Sequence, residues 1–219
     1  MKVDNFNKLS EYFDILKDKE DFFYIQIIQR KKDGNVKSEC VIRNFYVYNK
    51  EYFFKRKELI QQLCQQYNAR AYFWINPRNA RKVTLECIKS YADMLTQNNC
   101  CKGYKLWDKK CGAHASSEYA TLWIVDVDSK DQKLLDQVVA MVNKCRGNEE
   151  NKIKDIIPTI NGYHLITTKF DTHHFQQLCR IDNIPLIDIH KDNPTLLYYE
   201  KDEWSICDTC IRKLSPDIF

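Results

Sequence analysis

Beyond residue 20 the apolar residues switch repeatedly between a spacing of two and a spacing of 3.6, which restricts the chain to sheets and helices packed in layers. Phe22 to Ile28 and Cys40 to Tyr48 are β-branched and aromatic runs. Between them Lys31-Lys32-Asp33-Gly34-Asn35 supplies an Asp-Gly turn, so the two runs are expected to pair as an antiparallel hairpin with a solvated tip at Arg30-Lys31-Lys32. Residues 51–67 read as a helix with Leu59, Ile60, Leu63 and Tyr67 on one face, followed by a strand over Ala69–Ile75 and a helix over about 79–97. Residues 1–20 form an amphipathic lead-in, and 98–119 read as a polar connector.

From Thr121 the rhythm resumes with a strand at 122–127, a helix at 131–145, strands at 155–158 and 163–168, a helix at 171–180, and strands at 186–189 and 195–199. This is a β-α-β-β-α-β order, the pattern of RRM-like and ferredoxin-like sheets. The expected fold class is therefore α+β. An RRM-like half over 121–219 packs on an N-terminal α/β unit over 1–98, and a cysteine-containing connector at 99–120 joins them.

Apolar residues at 44% leave enough material for a core and exclude an intrinsically disordered chain. No run approaches eighteen apolar residues, and Met1-Lys-Val-Asp-Asn-Phe-Asn lacks the apolar stretch of a secretory signal, so an intracellular, cytoplasmic protein is expected, with no membrane partner. The net charge of +4 is too mild to announce nucleic-acid binding, and the placement of charges must carry that case. In such a setting the ten cysteines read as reduced thiols. Cys40, Cys64, Cys87, Cys145 and Cys179 stand alone in apolar-periodic segments and are expected in the core. Cys111-Gly-Ala-His114 and Cys207-Asp-Thr-Cys210 have half-site spacing for a structural Zn²⁺, with Cys100 and Cys101 as competing ligands and free thiols as the alternative.

The sharpest chemical signal is Leu122-Trp-Ile-Val-Asp126-Val-Asp128. An apolar strand ends in two acids that alternation places on one face, where they repel unless a cation lies between them. Hard carboxylate oxygens suit Mg²⁺ or Mn²⁺. The alternative is that Asp128 caps the following helix. Asn161-Gly162-Tyr163-His164 brings a histidine into a strand directly after a turn, and Ile187-Asp188-Ile-His190 sets Asp188 among apolar residues, as Asp126 is.

In this order the three segments resemble the archaeo-eukaryotic primase (primase-polymerase) superfamily. Trp123-Ile-Val-Asp126-Val-Asp128 matches its hhhDhD motif (h, hydrophobic), Gly162-Tyr163-His164 its small-x-His motif, and Ile187-Asp188 its hD motif. The resemblance covers mainly residues 120–200. It implies a nucleotidyltransferase in which Asp126, Asp128 and Asp188 hold Mg²⁺ or Mn²⁺ and His164 touches the triphosphate of the incoming nucleotide. It also implies nucleic-acid template or primer and nucleoside triphosphates as partners, and association with replication or defence proteins. The family often carries Arg or Lys in the His motif, where this chain has Asn161 and Tyr163; Lys191 and Lys169 are the expected substitutes for phosphate binding.

Asn68-Ala-Arg70-Ala-Tyr72-Phe73-Trp74-Ile-Asn76-Pro77-Arg78-Asn-Ala-Arg81-Lys82 interleaves aromatics with cations. Arg70, Arg78, Arg81 and Lys82 are thus candidate nucleic-acid contacts, the last three because cations at a helix N-terminus oppose its dipole. One set of alternate aromatics is expected in the core. The expected function is a primase-polymerase-like nucleotidyltransferase, against a catalytically inactive RRM-like nucleic-acid-binding module or a zinc-stabilised interaction domain.

Overall fold

Two antiparallel sheets organise the protein in a computed structural model that describes residues 1–33, 36–97, 103–113, 121–147 and 149–201. The first contains β1 (Lys2–Asp4), β2 (Asp21–Gln29), β3 (Cys40–Val47), β4 (Arg70–Trp74) and β10 (Pro194–Glu200), in the order β1-β10-β4-β2-β3, with the two-residue β5 (Arg78–Asn79) also pairing with β2. The second contains β6 (Trp123–Val127), β7 (Ile153–Pro158), β8 (Tyr163–Thr167) and β9 (Asp188–His190), in the order β7-β8-β6-β9. The mixed α+β class agrees with the sequence reading.

The alternation of side chains explains the layers. Phe23, Ile25 and Ile27 of β2 and Phe73 of β4 are buried with Phe6, Phe13, Phe53 and Ile60 from α1 (Phe6–Leu9), the 3-10 turn Ser10–Ile15, α2 (Lys50–Lys55) and α3 (Lys57–Gln66). On the opposite face Phe22, Tyr24 and Trp74 pack with Val83 and Cys87 of α4 (Ala80–Thr96) and with Leu106 and Cys111 of α5 (Leu106–Ala113). In the second sheet Val125, Val127 and Leu165 turn towards α6 (Gln132–Lys144) and α7 (Thr172–Ile181). Ile124, Ile157 and Ile166 turn the other way and join the core of the first sheet. The sheets are further tied where Asn5 Nδ2 donates to the Pro158 carbonyl at 2.9 Å and Lys8 pairs with Asp155 at 3.1 Å.

Several expectations are corrected. The helix over 51–67 is two helices, and the connector contains α5. The last strand, β10, leaves the second half of the chain and lies between β1 and β4. Cys40 is exposed, whereas Cys64, Cys87, Cys145 and Cys179 are buried as expected. No helix among the described residues is long and apolar enough to cross a membrane.

Candidate active site

Asp126 is the fourth of the five residues of β6, and the pairing on its two sides assembles the site. Its register partner on β8 is His164, and its register partner on β9 is Asp188. Direct cross-strand partners share a face, so His164, Asp126 and Asp188 form a row. His190, opposite Ile124, lies on the same face one step along β9. The buried Ile124, Ile157 and Ile166 fix which face this is, namely the one turned towards the first sheet.

Between the sheets opens a cleft of about 400 Å³. Asp126, Asp128, His164 and His190 line one wall, and Ile28, Arg30, Lys32, Arg70 and Tyr72 line the other. Asp128 is exposed at the cleft, and Asp188, also exposed, stands in the row but outside the cleft lining. Asp128 does not cap α6. That cap is Asp131, whose carboxylate accepts from the Lys133 amide at 2.9 Å, so the cleft is left as the surroundings of Asp128.

His164 is held at both ring nitrogens. Its Nδ1 lies 2.8 Å from the hydroxyl of the fully buried Thr195, and its Nε2 lies 3.4 Å from Asp126 Oδ1. Burial works against the charge of Asp126. The hydrogen bond and charge of His164, with His190 and Lys32, outweigh it and hold the carboxyl below the usual carboxylate range.

Gly162 brings the β7–β8 turn against the end of β6. A Cβ at this position would stand 1.9 Å from the Val127 carbonyl oxygen and 2.5 Å from the Ser129 amide nitrogen. Only glycine permits this approach, and the backbone that it touches is the backbone flanking Asp128. The turn is closed by the Thr159 amide donating to the Gly162 carbonyl at 2.8 Å.

The cations fall differently from the sequence reading. Lys169 is exposed and lies five residues beyond His164, roughly 16 Å along an extended chain, outside the cleft. Lys191 stacks its ammonium over Trp123, 5.3 Å from the ring centre, and Trp123 packs on the helix-covered side of the sheet. Neither meets the acid row. Arg30 and Lys32, read as a solvated hairpin tip, line the cleft instead, beside Arg70. Arg70 is held by both oxygens of Asp33, and Arg30 pairs with Glu39 at 2.5 Å and donates to the Tyr72 hydroxyl at 3.0 Å.

Arg78 has no surface for a nucleic acid, being fully buried. Its guanidinium donates to the Cys111 carbonyl at 2.6 Å, the Asn76 carbonyl at 3.0 Å and both oxygens of Asp192 at 3.1 Å. Beside it Asn76 exchanges two hydrogen bonds with the backbone of Leu122, at 2.9 and 3.0 Å. Together they clamp the start of β6 and the β9–β10 turn, so Arg78 positions the site. Arg81 and Lys82 are exposed at the start of α4, away from the cleft lining. Of the alternate aromatics, Phe73 and Ile75 are core and Tyr72 faces the cleft.

Cys111 is a buried core thiol, pushed up to about 12 chiefly by burial, whereas a zinc ligand is a thiolate. The other zinc candidates, His114, Cys207 and Cys210, lie outside the described residues, as do Cys100 and Cys101. Among the described residues no three Asp, Glu, His or Cys side chains enclose a metal-sized space. Comparison of the chain with protein-family models, with curated proteins and with solved structures finds no match.

Proposed function

We propose that the protein is a divalent-cation-dependent nucleotidyltransferase of the primase-polymerase type, extending or initiating a nucleic-acid strand from nucleoside triphosphates. The observation that carries this reading is the row His164–Asp126–Asp188 across three adjacent strands, of which His164 and Asp126, with Asp128, face Arg30, Lys32 and Arg70 over one cleft. Acids on one wall and cations on the other suit a substrate that brings both a polyphosphate and a metal. The strand order β7-β8-β6-β9 supports reading the second sheet as RRM-like, since with α6 and α7 on one face it follows the β-α-β-β-α-β plan.

The donor set fits the metal. Mg²⁺ is ordinarily held by one or two carboxylates together with substrate phosphates, not by an all-protein cage, and Asp126 and Asp128 offer two such carboxylates at the cleft. Asp188, across from Asp126 but outside the cleft lining, stands next to this pair. When bound, the ion supplies charge neutralisation at the phosphates and a lower pKa for an attacking hydroxyl. The chain's own residues do the rest. Lys32 receives phosphate oxygens beside Arg30 and Arg70, which are already paired with Glu39 and Asp33, and His164, steadied by Thr195, presents Nε2 beside Asp126 for a phosphate contact.

A nucleic-acid-binding module without catalysis is disfavoured by burial. Such a module needs its open sheet face for bases, but Ile124, Ile157 and Ile166 of that face are packed into the first sheet's core. The test is incorporation of a labelled nucleotide onto a primer–template with Mg²⁺ or Mn²⁺, using ribo- and deoxyribonucleotides in parallel. Metal-dependent extension that is lost in Asp126→Ala supports the reading, and salt-sensitive nucleic-acid binding without any incorporation overturns it.

A further inference from the structure

The chain that leaves β2 for β3 is first pulled towards β4, the neighbour of β2 that it does not connect. In the first sheet β2 lies between β4 and β3, and a hairpin connection is expected beyond the ends of the two strands that it joins. Residues 30–33 instead form a turn, closed by the Asp33 amide donating to the Arg30 carbonyl at 3.0 Å, and its last residue reaches β4. Both carboxylate oxygens of Asp33 are held by Arg70, the first residue of β4. The Asp33 carbonyl accepts from Asn68 Nδ2 at 2.5 Å, and Asn68 stands at the α3–β4 corner with φ 44°, a left-handed backbone that asparagine tolerates. The Arg70 and Asp33 side chains are only 11% and 8% exposed. A nearly buried, two-pronged ion pair thus ties the turn to β4, and such a fork fixes direction as well as distance.

Lys31 and Lys32 are the central residues of this turn, and Lys32 lines the cleft whereas Asp33 does not. We propose that Asp33 and Arg70, with Asn68, are positioning residues that carry the turn over the cleft, so that Lys32 meets the polyphosphate of a substrate while Arg70 serves the turn. This deepens the proposed function and rests on it only in requiring that the cleft take a polyphosphate. Charge and position make opposite demands on Asp33. Removing its carboxylate deletes a negative charge beside the cleft and releases a guanidinium, so charge alone would make an anion bind more tightly. If the carboxylate positions Lys32, the same change weakens binding.

Isothermal titration calorimetry of the full chain with tripolyphosphate and Mg²⁺ separates the two. Wild type is expected to bind, and Lys32→Ala to bind about fivefold more weakly, the upper end for one exposed ion pair. Asp33→Ala is expected to lose as much, and to cost nothing further when added to Lys32→Ala, because the side chain that it positions is already gone. Since Asp33→Ala strands a nearly buried guanidinium, Asn68→Gly is the second variant. It keeps the left-handed backbone and removes the bond to Asp33, so weaker binding with an unchanged circular dichroism spectrum is expected. Tighter or unchanged binding by both variants overturns the inference, as does a full additional loss in the double variant or no binding by wild type. Tripolyphosphate has neither sugar nor base, so the expected pattern in a protein that incorporates no nucleotide upholds the positioning residues and overturns the polymerase reading alone.

Discussion

Asp126 and His164 face each other across the β6–β8 pair, with His164 Nε2 3.4 Å from Asp126 Oδ1 and the other ring nitrogen on the buried hydroxyl of Thr195. One histidine thus links Asp126 to the first sheet's strand β10. Replacing Thr195 by Val removes the hydroxyl at nearly constant volume and frees the ring. Incorporation is expected to fall about tenfold, the lower end for an outer-shell partner, and Thr195→Ser to recover most of it. Steady-state kinetics on the three proteins checks this.

Gly162→Ala drives a methyl group into the backbone on either side of Asp128. Relief requires the turn or the end of β6 to move, at a cost of about 1–3 kcal/mol, the range for forcing atoms into a packed site. Gly112→Ala on α5 meets nothing nearer than 3.9 Å and gains helix propensity, so it is expected to be neutral or slightly stabilising. Chemical denaturation of the two variants gives the comparison, with lost incorporation expected only for the first.

Arg78 and Asp192 form an ion pair whose two halves are unequal, the arginine having no solvent exposure and the aspartate being partly exposed. Asp192→Ala strands a guanidinium that has no solvent exposure, with an expected loss of about 3–5 kcal/mol. Arg78→Met keeps much of the buried volume and leaves Asp192 partly in water, so a smaller loss is expected. Urea titrations of both variants test this order.

The cleft cations carry a prediction about substrate binding. Lys32→Ala is expected to raise KM for nucleotide several-fold and to flatten its salt dependence, because an exposed ammonium facing Asp126 acts through charge. Lys169→Ala and Lys191→Ala are expected to leave KM near the wild-type value, since one lies outside the cleft and the other rests on Trp123.

Cys64 and Cys111 are both pushed up to about 12 from an ordinary value of 9, first by burial. The unfolded chain ionises these thiols before the folded one does. Their contribution to stability is therefore complete below pH 9 and lost progressively as pH rises towards 12. Native-state alkylation with peptide mass spectrometry is expected to modify the exposed Cys40 and spare Cys64 and Cys111 until the chain is unfolded.

What could be read in the sequence was local. Asp126 and Asp128 share a face by alternation, His164 follows a turn, and α4 and α6 announce themselves by period, although the cap of α6 is Asp131 and not Asp128. What could not be read depended on distant partners. β10 has the same alternating pattern whichever sheet it joins, and nothing in Thr195-Leu-Leu197 names β1 and β4 as its neighbours. Arg78 looks like a surface cation because its carboxylate, Asp192, is 114 residues away. Arg30 and Lys32 look like a solvated tip until the second sheet forms the opposite wall of the cleft.

Asp126 is proposed to anchor a divalent-cation site shared with a nucleotide. Electron paramagnetic resonance of Mn²⁺ with the full chain and a non-hydrolysable nucleoside triphosphate tests it most directly. Wild type is expected to deplete the free Mn²⁺ signal beyond what the nucleotide alone removes, and Asp126→Ala, with an unchanged circular dichroism spectrum, to lose that excess. Equal depletion by the two proteins, or none by wild type, would contradict the account.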